Sequence, residues 1–167
     1  MPENPGIYAI RIRDVGTLPE PFASHLRARG HDLIYIGIAR RSLKDRFLSQ
    51  ELRARGHGTF FRSIGAVLGY LPLAGSLVGS RNQRNFRFAP HDERSIIKWI
   101  NTHLLVNWVT VTKEHESIEL TLIREQQPLL NLQGNPSKLA QLSELRAECV
   151  RIAKSSVGSM SPTMEES

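Results

Sequence analysis

Apolar and polar positions alternate over residues 6–13 (GIYAIRIR), and the run is rich in Ile and Tyr, so it reads as a β-strand. A second run, 32–39 (DLIYIGIA), is more evenly apolar and reads as a more deeply buried strand. A third, 104–112 (LLVNWVTVT), has the β-branched density that a pleated surface favours. Between the first two strands, 14–30 holds Gly16, Pro19 and Pro21 and predicts a loop with one short helical turn around 24–29. Elsewhere the helical period takes over. Ser42 is placed to cap a helix running to about Arg55, where Gly56 ends it. Residues 59–68 predict another helix, followed by a connection broken by Gly and Pro, and 85–88 a short strand or extended loop. Residues 91–103 predict a helix capped by Asp92, with Ile96, Ile97, Trp99 and Ile100 turned inward. A helix over 114–127 is stopped by Pro128. A terminal amphipathic helix covers 138–154, and the Ser-rich stretch from Ser155 onward reads as disordered.

Length and charge narrow the partner. At 167 residues the chain can bury one domain's core. The net charge of +6 and a pI near 10 favour a polyanion such as nucleic acid, although a membrane surface or simple solubility would also account for them. Cys149 is the lone cysteine, which excludes a disulfide framework and a Cys-rich zinc site. The N-terminal residues lack the basic-then-apolar pattern of a secretory signal. The longest uncharged run, 63–80, is interrupted by Gly65, Gly69, Pro72, Gly75 and Gly79, too often for a spanning helix. A soluble, cytoplasmic protein without a membrane partner is the expectation.

Four features then stand in order along the chain. Gly6-Ile7-Tyr8 and Tyr35-Ile36-Gly37 lie on successive predicted strands. Arg46 follows Tyr35 by eleven positions, in the first turns of the next helix. Glu119 opens ELTLIREQQPLLN, a helical Glu with a Leu-Ile pair, then Pro128 and Asn131 spaced as Pro-x-x-Asn. Over roughly 5–131 this ordered set resembles the GIY-YIG nuclease family. The resemblance implies an α+β fold with a small, mainly antiparallel three-stranded sheet flanked by helices. It further implies a metal-dependent endonuclease that hydrolyses DNA phosphodiester bonds. In that reading Glu119 holds a divalent metal, Mg²⁺ with Mn²⁺ as a substitute, and Arg46 is the essential arginine. Tyr35 helps position or deprotonate the attacking water, Tyr8 orients water or phosphate, and His57 falls where many members carry a histidine. The chain departs from the pattern at Ile38, where many members have Lys; Arg40, Arg41 or Lys44 are the candidates to replace that charge. The expected layout is a nuclease-like domain over 1–135, with an insertion at about 71–94, and a helix over 136–154 packed on it.

The residues support this chemistry on their own account. On a helical wheel Glu119 falls between Leu122 and Ile123, inside the apolar arc that Ile118 completes. A carboxylate there is costly unless paired, with Arg46 the candidate partner, or bound to metal. Mg²⁺ often binds through one or two carboxylates plus substrate, so a single Glu suffices. The forked, permanently charged guanidinium of Arg46 suits the non-bridging oxygens of a phosphate. A phenol with a pKa near 10 is a poor base at neutral pH and needs a metal or a cationic neighbour. Gly6 and Gly37 are expected to serve backbone geometry. Asn131 is expected to hold the loop after the catalytic helix. His57 can contact phosphate, assist proton transfer or be structural. The string His115-Glu116-x-x-Glu119 lacks the second His of a zinc-protease helix, and GSLVGS lacks the ending of a phosphate loop.

Two basic groups are candidates for DNA contact. Arg40, Arg41, Lys44, Arg53, Arg55 and Arg62 form an expected phosphate-tracking surface beside Arg46. Arg81, Arg84 and Arg87, interleaved with Asn82, Asn85, Phe86 and Phe88, read as a basic flap or as a solvated loop anchored by two phenylalanines. Fine specificity would come from this insertion, a protein partner or a homo-oligomer. A catalytically weak DNA-binding module with a nuclease fold, and an RNA-cleaving nuclease, remain the alternatives.

Overall fold

The computed structural model describes residues 1–47 and 58–155. Three strands form one antiparallel sheet in the order β2-β1-β3, with β1 (Gly6–Ile12) between β2 (Leu33–Ala39) and β3 (Leu104–Thr110). Together with the flanking helices this is the expected α+β arrangement. The two-residue period of β1 splits its side chains between two cores. Tyr8, Ile10 and Ile12 face the larger one with Tyr35 and Ala39 of β2. Ile7 faces the smaller one with Ile36 and with Ile123 of helix α4 (His115–Gln126). Because both sides of the sheet are covered at β2, Ile34, Tyr35 and Ile36 are all buried. At the opposite edge Trp108 and Val109 of β3 are exposed.

The larger core is closed by helices. Phe22 and Leu26 come from α1 (Phe22–Arg29), Phe60, Phe61 and Ile64 from α2 (Thr59–Val67), and Ile96 and Ile100 from α3 (Pro90–His103). Leu142, Cys149 and Ala153 come from α5 (Ala140–Lys154), which packs on α2. Fully burying side chains of this size contributes about 1.5–3 kcal/mol each.

The elements differ from the sequence expectation where local backbone chemistry decides. α1 is a true helix of eight residues, closed by Gly30 in the left-handed region at φ 72°. α3 starts at Pro90, and Ala89 rather than Asp92 occupies the cap position. Pro lacks an N–H where the first helical turn leaves that donor unused, so it starts a helix well. Asp92 and Glu93 instead sit in the first turn, favourable to the helix dipole. Ser42 does cap a turn over 43–47: its Oγ accepts from the Asp45 N–H at 3.1 Å. The rest of the helix expected to reach Arg55, and the tail after Ser155, lie outside the described residues.

The segment 71–94 is anchored to the domain at several points. Residues 85–88 form an extended stretch, not a strand, with one bridge between Phe88 and Pro72. Phe86, Phe88 and Leu77 are buried. The Leu77 N–H donates to the Ala153 carbonyl of α5 at 3.0 Å, which ties the segment to the end of the last helix.

Candidate active site

The two tripeptides meet as one packing unit. Tyr8 and Gly37 are direct partners across β1 and β2. A Cβ added at Gly37 would fall 2.5 Å from Tyr8 Oη and 2.9 Å from Tyr35 Cε1, so only glycine lets the Tyr8 ring lie over this backbone. Gly6 is equally constrained, because a Cβ there would sit 2.2 Å from the Val109 carbonyl oxygen of β3. Tyr8 is wholly buried and lines neither cleft described below; its ring centroid is 6.3 Å from that of Tyr35 and 5.9 Å from that of Phe47. Tyr35, against Phe60 at 5.3 Å, is the tyrosine that reaches a cleft.

The chain after α4 fixes the outer edge of β2. Pro128 follows Gln127, which ends the helix in the left-handed region at φ 47°. The Leu130 N–H then donates to the Ile34 carbonyl at 2.8 Å. One residue later the Asn131 side chain takes over: Oδ1 accepts from the Ile36 N–H, and Nδ2 donates to the Ile36 carbonyl, both at 2.9 Å. This buried amide acts as a short mock strand that binds β2 to the end of α4. Asn135, which drew no attention in the sequence, is buried behind it and donates to the carbonyls of Pro128 and Asn131.

Glu119 lies where two clefts join. The smaller, about 520 Å³, is lined by Arg40, Arg41, Ser42, Asp45, Arg46 and Glu119 with the end of β2. The larger, about 1050 Å³, takes in Tyr35, Arg40, Glu119 and Asn131 and runs on to the insertion and α5. Glu119 is half-buried, and among the described residues its carboxylate makes no hydrogen bond or ion pair. Burial, and then the charge of Glu116, push its pKa up; Arg40 and Arg46 pull the other way. The ion pair with Arg46 that could have accounted for an inward carboxylate is therefore only a longer-range attraction. Instead Arg40 pairs with Glu116 at 2.9 Å, in an exposed bridge that solvent screens.

The remaining cations divide. Lys44 is held by Glu3 at 2.9 Å, and Arg41 is exposed at the smaller cleft. Arg81, Arg84 and Arg87 are exposed on the anchored segment, and of these Arg84 lines the larger cleft. Arg62 corrects the expectation of a phosphate-tracking surface, because it is only 7% exposed. Its guanidinium hydrogen-bonds the Asn85 side chain and lies 5.8 Å over the Phe86 ring, so it clips the insertion to α2. α2 is buried nearly all round, and what little of Arg62 is exposed opens into the larger cleft rather than onto an outer surface. Arg53, Arg55 and His57 lie outside the described residues. Arg146 was missed altogether: it stands on α5 in the stripe 142, 146, 149, 153 and lines the larger cleft.

A hard divalent cation fits this donor set. Glu119 offers oxygen atoms that no described side chain claims, next to space for water and phosphate. Among the described residues no three His, Cys, Asp or Glu side chains gather to hold a metal, so the protein's share would be one or two carboxylates. An acid on a helix, flanking arginines and a strand tyrosine around open basic clefts define a site suited to attack on a phosphodiester.

A family model described as the GIY-YIG catalytic domain matches residues 6–148, which encloses the segment 71–94 and most of α5. The chain belongs to the GIY-YIG family and carries its nuclease-type catalytic domain. No curated protein and no solved structure gave a significant match. No helix among the described residues is long and apolar enough to cross a membrane.

Proposed function

We propose that this chain is a metal-dependent endonuclease acting on DNA. The observation that carries the reading is Glu119: a half-buried carboxylate, unclaimed by any described side chain, faces two arginines at the junction of two clefts. When bound there, Mg²⁺ or Mn²⁺ would polarise the phosphate and stabilise the leaving oxygen. Arg46, steadied by the Ser42 cap, presents its fork to non-bridging phosphate oxygens. Arg40 can leave its weak surface bridge for the same phosphate at small cost. Tyr35 positions the attacking water and holds its proton in a hydrogen bond. Tyr8, wholly buried, supports Tyr35 and Gly37 from beneath rather than touching substrate. The net charge of +6 supports a polyanionic substrate.

The test is a cleavage assay with Mg²⁺ or Mn²⁺ on duplex, nicked and branched DNA and on RNA, with wild type and Glu119→Gln. Wild type should nick DNA and stop in EDTA. Glu119→Gln should lose nicking and keep DNA binding, because Gln keeps the size and removes the charge. Full cleavage by Glu119→Gln at the same metal concentration would overturn the role of Glu119. Cleavage of RNA alone would overturn the DNA assignment.

A further inference from the structure

The far end of the larger cleft is walled by parts of the chain outside the tripeptides and the Glu119 helix: the insertion and α5. Two arginines face each other there. Arg84 comes from the insertion, and Arg146 comes from the inward stripe of α5. Among the described residues the Arg146 guanidinium has no hydrogen bond and no carboxylate partner, and the side chain of Arg84 has none either. Nearby acceptors are engaged elsewhere: the Glu148 carboxylate is taken by Arg151, and the Asn82 amide oxygen accepts from the Arg84 main-chain N–H.

This arrangement is costly for folding. Arg146 is partly buried, and burial is the main influence lowering its pKa; Arg84 pushes in the same direction, while Tyr35 and Cys149 oppose. A guanidinium withdrawn from water beside a second guanidinium is held at the expense of stability unless an anion joins them. Tyr35 lies within electrostatic reach and lines the same cleft, so an anion bound there would be close to the proposed scissile phosphate. The position of both cations is fixed. Arg62 clips the insertion through Asn85, Leu77 ties it to Ala153, and Leu142 and Cys149 bury α5 on either side of Arg146.

We propose that Arg84 and Arg146 form a second phosphate station, which grips the nucleic-acid backbone beyond the scissile phosphate and sets its path past Tyr35. The station deepens the nuclease reading and rests on it for the identity of the ligand, a backbone phosphodiester. Forked guanidiniums on two walls of a cleft suit the paired non-bridging oxygens of such a group. Because the walls come from the insertion and the last helix, the station belongs to DNA path selection, separate from the chemical step at Glu119.

The experiment measures binding without cleavage. Full-length wild type, Arg146→Ala, Arg146→Met, Arg146→Lys and the Arg84→Ala/Arg146→Ala pair are titrated by anisotropy with labelled duplex DNA in EDTA, at several salt concentrations. Arg146→Ala and Arg146→Met should weaken binding about ten-fold or more, the scale of one charge-assisted contact. The slope of log affinity against log salt should flatten by about 0.9 in the pair, since the station neutralises one phosphate, and by part of that in Arg146→Ala and Arg146→Met. Arg146→Lys should keep the slope and recover only part of the affinity, because the fork is gone. Melting curves supply the control: Arg146→Met should melt no lower than wild type, since it removes a buried charge of high cost. Unchanged affinity and slope in both the Ala and Met variants would overturn the station. A lowered melting temperature in Arg146→Met with unchanged affinity would do the same, making Arg146 a packing residue. The two proposals fail separately. Wild type that binds but never cuts defeats the nuclease reading and leaves the station to the slopes, whereas active wild type with unchanged slopes defeats only the station.

Discussion

Replacing Asn131 by Ala tests how the site is braced. Its amide satisfies both main-chain groups of Ile36, each at 2.9 Å, on the outer edge of the strand that carries Tyr35. Ala leaves that N–H and that carbonyl without partners in a buried setting. An unmatched buried polar group costs about 1–3 kcal/mol, so two give an upper value of about 6. Asn131 also lines the larger cleft, through which water can reach one of the two groups. The expected loss is therefore about 2–4 kcal/mol. For a domain with a urea dependence of about 2 kcal/mol per M, the unfolding midpoint moves by about 1–2 M. Asn131→Asp sharpens the test. Its carboxylate still accepts from the Ile36 N–H but faces the Ile36 carbonyl with like partial charge, so at pH 7 it should be no more stable than Asn131→Ala. Once protonated it can donate again, and its stability relative to Asn131→Ala should rise as pH falls. Cleavage measured below the unfolding transition should also drop, because Tyr35 adjoins the freed residue. A change in stability below about 0.5 kcal/mol, with the urea dependence unaltered, would refute the brace.

Gly37→Ala places a Cβ within 2.9 Å of both tyrosine rings and should cost about 1–3 kcal/mol along with activity; an unchanged melting temperature and rate would show that the rings yield freely. Glu119 ionises against its surroundings, so its raised pKa means that the charged form weakens the fold above that pKa; the cost shrinks as pH falls below it and is gone below the ordinary carboxylate range. In EDTA, Glu119→Gln should therefore be the more stable protein at neutral pH, with the gap closing in acid; a less stable variant at pH 7 would show that Glu119 has a structural partner. Arg46→Ala should lower turnover about 10²-fold or more, with poor rescue by Arg46→Lys, and wild-type rates in both would make Arg46 a bystander. Burial pushes the Cys149 thiol up to about 11, so native protein at pH 8 should resist a thiol reagent until urea releases α5; prompt labelling without urea would contradict the packing of that helix.

The sheet and the placement of its motifs were readable because a two-residue period and an ordered set of rare residues are local signals. The start of α3 was misread because Asp92 is a good capping residue, yet Pro90 fixes the backbone two positions earlier. Arg62 was misread for the opposite reason. Nothing in TFFRSIGAV distinguishes a polar residue facing water from one facing Asn85, which lies 23 positions away in sequence. Arg146 could have been found. It interrupts the inward stripe of α5 much as Glu119 interrupts that of α4, and the same helical period marks both positions. The bond between Leu77 and Ala153 leaves no trace in sequence, because main-chain groups pair whatever their side chains.

That bond also bears on the order in which the protein is made. During synthesis the three strands, Arg46 and Glu119 all leave the ribosome before the end of α5. The nascent chain can thus hold every motif residue while its cleft still lacks the wall that Arg146 and the fastened insertion provide. Until Ala153 emerges to receive Leu77, the insertion has one fewer tether and Arg84 has no fixed position opposite α5. The proposed phosphate station is therefore completed last, after every motif residue has emerged.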